Sequence, residues 1–358
     1  ATVQDADLSC SRPVMGKASR EFWIKAGFQH PSRRFPCGDR FTLPRMSSKL
    51  LIGSWSKHLK DHLESLIEQF SQLKILVLGD FILDEFVFGE ISRISREAPV
   101  LILKYRGTNT APGGGANTVS NVDQLGAEAI PVGFLGKDQA ADQLLSGWSD
   151  RVNKRYTFQD PALQTTRKSR FLAGSFHSVQ QQVVRLDYEH PYRLAEEHEQ
   201  KILTSLSELV PEIDALILCD YSLGSINSGI REAALSLAQE HEKYIVVDSR
   251  DRPQNYAGAT SITPNLTEIE AALSIQIGED LDVLEKVGSR LLEEWSLKAL
   301  LVTRGKLGMS LFTEDGMTPI PIYGSDEIAD VTGAGDTVTA TYSLALAAGG
   351  SFQQAARL

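Results

Sequence analysis

Four apolar segments constrain the fold of this chain more than any other feature of its sequence. Each is an apolar run that ends in polar residues, and they are "KILVLGD" (74–80), "DALILCD" (214–220), "YIVVDSR" (244–250) and "KALLVTRG" (298–305). Such runs are typical of parallel strands that are buried on both faces. Helical patterns such as "SGIREAALSLAQEHE" lie between them, and this alternation indicates βαβ units. The sequence therefore predicts an α/β protein with a doubly wound, mainly parallel sheet.

The ends of these strands indicate where a ligand would bind. In a doubly wound sheet, ligands bind beyond the carboxyl ends of the strands. This rule points to Asp80, Asp220, Asp248 and Thr303. Two β-rich stretches, near 86–110 and 165–187, interrupt the alternation and predict a small β-flap outside the main sheet.

Composition and charge narrow the class of protein. With 42% hydrophobic and 23% charged residues in a chain of 358, a globular protein is expected. The net charge of −10 argues against a nucleic-acid partner, because such proteins present a basic face. No apolar run reaches the roughly 18 residues that a membrane span needs. The three cysteines form neither a CxxC pair nor a zinc-type cluster, which favours a cytoplasmic protein. Together with the charge and the apolar runs, this leads us to expect no membrane or nucleic-acid partner.

The two ends of the chain differ in pattern from its centre. Residues 1–45 show no periodicity, which indicates a disordered leader or an upstream extension. Residues 46–73 predict an amphipathic N-terminal helix, and 74–358 the main domain. The final letters "SFQQAARL" stop within a helical pattern, so the C-terminal helices are expected to be truncated.

A glycine-rich stretch, "APGGGANTVSNVDQLGA" (111–127), precedes one of the helical patterns. Gly113 and Gly114 would let a ligand approach the backbone, and Asn117 offers a donor and an acceptor, which suits a polyol. Asp84, at the end of the first strand, could accept two sugar hydroxyls. A glycine turn that caps a helix, with an aspartate that caps a turn, explains the same residues.

The stretch "TPNLTEIEAAL" (263–273) places Asn265 and Glu268 three positions apart. If the helix has begun, both side chains lie on one face. Their oxygens could hold Mg²⁺, directly or through its waters. A helix-capping arrangement explains the same letters without a metal.

Two glycine-containing turns have the features of phosphate-binding elements. "VTRGKLGMSLF" (302–312) carries Gly305 and Gly308 directly after a buried strand, as a nucleotide-contacting turn would. In "DVTGAGDTV" (330–338), small residues at 333–335 open a predicted helix, so its backbone N–H groups could bind one anion. Asp336 then lies where a base is needed. An aspartate that merely caps the helix is the alternative.

Other nucleotide and metal motifs are absent from the sequence. Neither a Walker A motif nor GxGxxG occurs at a strand-to-helix turn, which disfavours P-loop NTPases and dinucleotide-binding dehydrogenases. The seven histidines form no HxGH or HExxH pattern.

Taken in order, "PGGGAN", "TPNLTE", "LVTRG" and "DVTGAGDT" resemble the signatures of the PfkB/ribokinase family of sugar kinases. The resemblance extends from about Leu73 to Leu358. Within the family, "GEISRISREAPV", "QQVVRLD" and "TPNLTEIE" are most similar to D-glycero-β-D-manno-heptose 7-phosphate kinases of lipopolysaccharide precursor synthesis. The resemblance implies a ribokinase-like three-layer α/β/α sandwich, Rossmann-like, with a β-flap that closes over the sugar and forms a homodimer contact.

The resemblance also implies roles for individual residues. Asp336 would be the catalytic base that deprotonates the acceptor hydroxyl as it attacks the γ-phosphate of ATP. The helix entrance would form the anion hole with Gly333, Ala334 and Gly335. The sugar site would contain Asp84, Gly113, Gly114 and Asn117. The ATP-side turn would contain Thr303, Gly305 and Gly308, and Mg²⁺ would be organised through water by Asn265 and Glu268.

A phosphorylated sugar needs cations, which an acidic chain must supply locally. The candidates are the basic residues of the two flap segments, namely Arg93, Arg96, Lys168 and Arg170. Solvated surface charge is the alternative for each. In "CDYSLGS" the heptose kinases usually carry Lys where this chain has Leu223. Another PfkB kinase, acting on a free sugar, a nucleoside or fructose phosphate, therefore stays open, as does a catalytically silent sugar-binding protein.

Overall fold

The computed structural model of the protein describes residues 57–174, 180–189, 194–322 and 333–358. The chain divides into two units, Ala1–Ser56 and Lys57–Leu358, and all of the described residues belong to the second. The predicted leader at 1–45 lies outside the described residues, as does the first part of the predicted helix at 46–73.

The described elements alternate between strand and helix along most of the chain. In chain order they are α1 (Lys57–Gln69), β1 (Lys74–Gly79), β2 (Phe81–Ile94), β3 (Leu101–Gly114), α2 (Gly115–Gln124), β4 (Glu128–Gly136), α3 (Gln139–Gly147), β5 (Thr157–Asp160), β6 (Thr166–Gly174), β7 (Gln181–Tyr188), α4 (Glu196–Leu209), β8 (Ala215–Asp220), α5 (Ser228–Glu240), β9 (Tyr244–Ser249), β10 (Ser261–Ile262), α6 (Leu266–Leu273), α7 (Leu281–Glu294), β11 (Ala299–Thr303), β12 (Met309–Thr313), β13 (Gly316–Ile320), α8 (Ala334–Ala347) and α9 (Phe352–Ala355).

Within the described residues, the main sheet has nine strands in the order β13-β12-β11-β10-β9-β8-β1-β4-β5. Pairing is parallel from β11 to β5, and β12 and β13 add antiparallel strands at one edge. The four apolar runs of the sequence form β1, β8, β9 and β11. The predicted fold class, a mainly parallel α/β sheet, is confirmed.

Helices cover both faces of this sheet, and β1 shows why its sequence is apolar without interruption. Ile75 and Val77 pack into a core with α2, α3 and α8, whereas Leu76 and Leu78 pack into a second core with α4, α5 and α7. Alternate side chains of a strand point to opposite faces. Each position of β1 therefore needs an apolar side chain, and the three layers follow.

Four further strands form a separate sheet in the order β3-β2-β6-β7, here named the lid sheet. β2 and β3 pair antiparallel along their whole length, from Phe81 with Gly114 to Ile94 with Leu101. The predicted flap segments, 86–110 and 165–187, overlap these four strands, although 175–179 lies outside the described residues, and β2 already begins at Phe81. Asp84 therefore lies inside a lid strand and not in a loop after β1.

Two terminal features complete the described fold. Helix α1 buries Leu63 and Leu66 on the core, at the spacing that the sequence predicts for this amphipathic segment. Among the described helices, none combines the length and the apolar character needed to cross a membrane.

Candidate active site

Asp336 lies in the first turn of α8 and is only 8% exposed. Its Oδ2 accepts a hydrogen bond from Nδ2 of Asn117 at 2.7 Å, and its Oδ1 accepts one from the Tyr221 hydroxyl at 2.6 Å. Burial raises the pKa of Asp336, the two donors oppose this, and the charge of Asp84 adds to it. Both hydrogen bonds come from other elements, so the carboxylate joins α8 to α2 and to the loop after β8. Capping of its own helix does not explain this aspartate.

The first described residues of α8 are small, as an anion site at a helix start requires. Gly333 has a left-handed φ of +79°, and a Cβ there would collide with Nδ2 of Asn117. A Cβ on Gly335 would meet nothing within 4 Å. The first N–H groups of a helix have no acceptor within the helix, and the helix dipole favours negative charge at this end. The residues 333–335 thus fit the predicted anion site, and that role stays a prediction.

A second carboxylate approaches the same tyrosine. The Tyr221 hydroxyl lies 2.8 Å from Oδ2 of Asp248, which follows the buried part of β9. Burial raises the pKa of Asp248 to about 7, and the charge of Asp336 contributes. Burial also raises the pKa of Tyr221 well above its ordinary value, which keeps its hydroxyl protonated.

Asp80 organises the loop that carries Tyr221. It is 2% exposed, and its carboxylate accepts the backbone N–H groups of Tyr221 at 2.8 Å, Leu223 at 3.1 Å and Ser225 at 3.1 Å. The two interpretations of a strand-end aspartate, ligand contact and turn cap, thus resolve to the cap at Asp80. Leu223, the departure from the heptose kinase pattern, is held here by its backbone.

Asp84 and the glycine-rich stretch come together beside this cluster. The Asp84 carboxylate is buried, and its Oδ1 accepts from Nη1 of Arg170 at 2.5 Å. A Cβ on Gly113 would lie 2.6 Å from Oδ2 of Asp84, so a side chain there would displace the carboxylate. Gly114 adopts a left-handed φ of +54° immediately before α2, whose first turn carries Asn117.

These predicted sugar-site residues therefore meet at the edge of the sheet, next to Asp336. We refer to Asp80, Asp84, Tyr221, Asp248 and Asp336 as the strand-end cluster.

The predicted cations separate into two pairs. Lys168 and Arg170 are two positions apart on β6, so both side chains lie on the same side of the lid sheet as Asp84. Lys168 is 7% exposed and forms an ion pair with Glu189 at 3.0 Å. Arg93 and Arg96 are exposed near the far end of β2. Nine residues of strand separate Arg93 from Asp84, a distance of about 30 Å. One chain does not bring Arg93 and Arg96 to the cluster, and their role in substrate binding stays a prediction.

Asn265 and Glu268 form a reciprocal capping box at the start of α6. The Glu268 N–H donates to Oδ1 of Asn265 at 2.8 Å, and the Asn265 N–H donates to Oε2 of Glu268 at 2.8 Å. The capping alternative is therefore present, and it leaves Oε1 of Glu268 without a hydrogen bond to any described residue. Burial raises the pKa of Glu268 to about 7.

Within the described residues, no group of three or more His, Cys, Asp or Glu side chains could hold a metal by itself. The Asn265 side chain is engaged in the capping box, but the remaining oxygen of Glu268 still suits contact with a hydrated Mg²⁺. The predicted magnesium contact stays a prediction.

The turn after β11 owes its glycines to backbone geometry. Gly305 and Gly308 have φ values of +55° and +79°, and a Cβ on Gly308 would collide with the carbonyl oxygen of Ile320. The Thr303 N–H donates to the carbonyl oxygen of Pro264 at 3.0 Å, which joins this turn to the start of α6. The close packing of β12 and β13 accounts for Gly308, and contact of this turn with a nucleotide stays a prediction.

Sequence reasoning missed Tyr221 as a site residue. Asp248 was indicated by its place at the end of a strand, but no role was assigned to it. The available signal was an aromatic hydroxyl directly after the polar end of β8, in "CDYSLGS". Its two partners lie 27 and 115 positions away along the chain, so a local motif could not show the contact.

A model of the pfkB family carbohydrate kinases matches residues 72–358. The chain belongs to this family. The matched residues include every described element of the strand-end cluster and the lid sheet.

Curated relatives of the chain carry the name bifunctional protein HldE. One from Desulfatibacillum aliphaticivorans is 36% identical over 82% of this chain and 59% of the relative. Another, from Chromohalobacter salexigens, is 39% identical over 80% of this chain and 58% of the relative. This chain thus spans about three-fifths of the length of the curated relatives it matches.

Solved structures share the fold. The Arabidopsis thaliana ribokinase complexed with ribose and ATP has a TM-score of 0.62 and 17% identity, covering 80% of this chain and 89% of the ribokinase. Phosphofructokinase-2 from Escherichia coli, in complex with potassium, has a TM-score of 0.62 and 18% identity with the same coverage, 80% and 89%. These likenesses confirm the ribokinase-like fold.

Proposed function

We propose that the chain is an ATP-dependent kinase of a sugar or sugar phosphate, with heptose 7-phosphate as the first substrate to test and its 1-hydroxyl as the acceptor. The observation that carries the proposal is the position of Asp336, a buried carboxylate in the first turn of α8 that is fixed by two donors and close enough to Asp84 to feel its charge. Membership of the pfkB family and the heptose-kinase-like motifs support it. The relatives named HldE are consistent with the narrower substrate.

The residues of the cluster suit an in-line phosphoryl transfer. Asp336 accepts the proton of the acceptor hydroxyl while the hydroxyl oxygen bonds to the γ-phosphorus of ATP and the bond to the β-phosphate oxygen breaks, releasing ADP. The N–H groups at 333–335 stabilise the charge on the transferred group. General-base assistance contributes about 10²- to 10⁴-fold, and positioning supplies most of the remainder. Mg²⁺, held through water by Asn265 and Glu268, would neutralise phosphate charge.

A phosphorylated sugar is favoured by the side of the lid sheet that carries Asp84. Lys168 and Arg170 lie there, and both are largely buried and paired with acids, Glu189 and Asp84. Burying a cation is costly unless it is paired. A phosphate on the substrate would give these cations a second partner, whereas a neutral sugar would not.

The test measures ADP release by the full chain with ATP, Mg²⁺ and a panel that contains heptose 7-phosphate, fructose 6-phosphate, ribose and adenosine. We expect the highest kcat/KM with heptose 7-phosphate. Turnover of only another acceptor would reassign the substrate within the family. No turnover with any acceptor, together with sugar binding but no ATP binding in calorimetry, would instead show a silent sugar-binding protein.

We also propose a homodimer that forms through the lid sheet. Its outer part exposes several large apolar side chains, and exposed apolar surface often marks a contact with another protein chain. They are Ile91, Ile94, Val100, Leu101, Tyr105, Val183, Val184 and Leu186. Sedimentation of the wild type and of Ile94→Asp should show a dimer that becomes a monomer, and an unchanged dimer would exclude this surface.

A further inference from the structure

One tyrosine hydroxyl lies between two carboxylates in the strand-end cluster. The Tyr221 oxygen is 2.6 Å from Oδ1 of Asp336 and 2.8 Å from Oδ2 of Asp248. A phenol hydroxyl has one hydrogen and can donate to one of them only. If both carboxylates were ionised, the other contact would set lone pairs against each other in a buried site, which is costly. Both short contacts are hydrogen bonds only if one carboxyl carries a proton.

The remaining hydrogen bonds decide which carboxyl is protonated. Asp336 accepts a second hydrogen bond, from Nδ2 of Asn117 at 2.7 Å. Within the described residues, the Asp248 carboxyl makes one side-chain hydrogen bond, with Tyr221. Hydrogen bonds to a carboxylate favour its charged form. The negative charge is therefore better stabilised on Asp336, and the proton is better placed on Asp248.

We propose that Tyr221 and Asp248 are positioning residues for Asp336. Protonated Asp248 donates a hydrogen bond to the Tyr221 oxygen, so the Tyr221 hydroxyl donates its own hydrogen to Asp336. The proposal rests on the proposed role of Asp336 as the base. The chain of bonds fixes Oδ1 of Asp336 and holds the carboxylate ionised and oriented for the acceptor hydroxyl. No bond other than these hydrogen bonds changes.

The surroundings favour retention of this proton. The further groups whose charge acts on the three residues come from several packed elements, namely Cys219 on β8, Glu268 on α6 and Asp84 on β2. Asp80, after β1, accepts the backbone N–H of Tyr221. All of these become negative on ionisation. Two described cations act on these groups: Arg170 is ion-paired with Asp84 at 2.5 Å, and the charge of Arg250 acts on Glu268. Two adjacent ionised carboxylates are disfavoured in such a place, and burial together with Asp336 raises the pKa of Asp248 to about 7.

The kinetic consequence is an alkaline limit on turnover. As Asp248 loses its proton above about pH 7, two carboxylates compete for the single Tyr221 hydrogen, and the hydrogen bond that orients Asp336 is weakened. In the assay with ATP and the preferred acceptor, Tyr221→Phe should lower kcat about 10- to 100-fold, leave the KM for ATP within about twofold, and abolish this limit.

Asp248→Ala and Asp248→Asn form the matched pair. The alanine should lower kcat about 30-fold, and the asparagine, whose amide can donate to the Tyr221 oxygen as a protonated carboxyl does, should restore about tenfold of that loss. The asparagine variant should also lack the alkaline limit. If asparagine is as impaired as alanine, a charge at this position is required and the proposal is overturned.

A second measurement separates this proposal from the proposed function. Carbon NMR of aspartate-labelled wild-type protein, without substrate, should show one carboxyl that titrates near pH 7, that disappears in Asp248→Asn and whose midpoint moves in Tyr221→Phe. This result stands even if no sugar is phosphorylated. A resonance of Asp248 that titrates near pH 4 overturns the proposal whatever the enzyme assay shows.

Discussion

The strand-end cluster is buried and hydrogen-bonded by the main domain, whereas the tip of the lid sheet is exposed. In the cluster, Asp80 and Asp336 are 2% and 8% exposed and accept hydrogen bonds from loops and helices of the main domain. The tip of the lid leaves Ile94 65% and Tyr105 68% exposed. The base of the lid holds its cations by ion pairs. The proposed base is thus held by the main domain, and the proposed substrate-binding cations by the lid, so mutations should separate the two.

The largest effect is expected for Asp336→Asn in the cluster. The variant cannot accept the proton of the acceptor hydroxyl, so kcat should fall about 10³-fold. Calorimetry should show sugar and ATP binding within about threefold of the wild type, because the lid and the turn after β11 are untouched. Loss of sugar binding together with kcat would show that Asp336 itself holds the substrate and would break the comparison.

Asp80→Ala tests the structural support of the cluster. The change leaves three backbone N–H groups of the 221–225 loop without an acceptor, and unfolding in urea should show a loss of about 3 kcal/mol. Asp80→Asn retains an oxygen for part of this set and should lose about half as much. Equal stability of alanine variant and wild type would contradict the capping role of Asp80.

The stability of the protein should depend on pH through Asp248. Its folded-state pKa of about 7 lies above the ordinary value of 3.8, so the folded protein binds the proton more tightly than the unfolded chain. The free energy of unfolding should therefore fall as pH rises from about 4 to about 7, by on the order of 3–4 kcal/mol from this group. Asp248→Asn should show a smaller fall. Parallel pH curves for the two proteins would contradict the raised pKa.

In the lid, Arg170→Ala should raise the KM for a phosphorylated sugar about 10- to 30-fold and change kcat little. The reason is that Arg170 is partnered by Asp84 and available to a phosphate, and bonds to charged groups are worth about 1.5–3 kcal/mol. Arg106→Ala, which removes an exposed ion pair with Glu90 on the same sheet, is the control and should shift KM less than twofold. A rise for Arg93→Ala equal to that for Arg170→Ala would extend the binding function to the tip.

The smallest effect concerns the helix entrance. Gly333→Ala forces a side chain into a left-handed φ and against Asn117, and should cost about 1–2 kcal/mol in unfolding experiments. Gly335→Ala is the matched control, since its Cβ meets no atom, and stability should be unchanged or slightly higher. Equal losses would show that the strain at Gly333 is not specific.

The sequence was sufficient for the fold because its signal is periodic and local. The runs "KILVLGD" and "DALILCD" have no polar position, which only a strand covered on both faces permits, and they became the central strands β1 and β8. The limits of β2 were less accessible, because the polar Asp84 looks like the end of a strand although it lies inside a lid strand.

The site was predictable as a set of motifs but not as a set of contacts. The hydrogen bond between Asn117 and Asp336 joins positions 219 residues apart, and nothing local in either motif indicates it. The pair Asn265 and Glu268 shows the opposite case, since its spacing describes a capping box as well as a metal contact. Tyr221 was missed because a tyrosine after a strand acquires its meaning only from the carboxylates that the fold places around it.

Because β2 is one continuous strand, Asp84 and the tip of the lid lie at very different distances from its first residue. Asp84 lies three positions and Ile94 thirteen positions after Phe81, the first residue of β2. At a strand rise of about 3.3 Å per residue, Asp84 lies about 10 Å and Ile94 about 43 Å from Phe81. A rigid rotation about Phe81 would therefore move the tip about four times as far as Asp84. A swing of about 12 Å at the outer edge corresponds to about 3 Å at Asp84, the length of one hydrogen bond to a sugar hydroxyl.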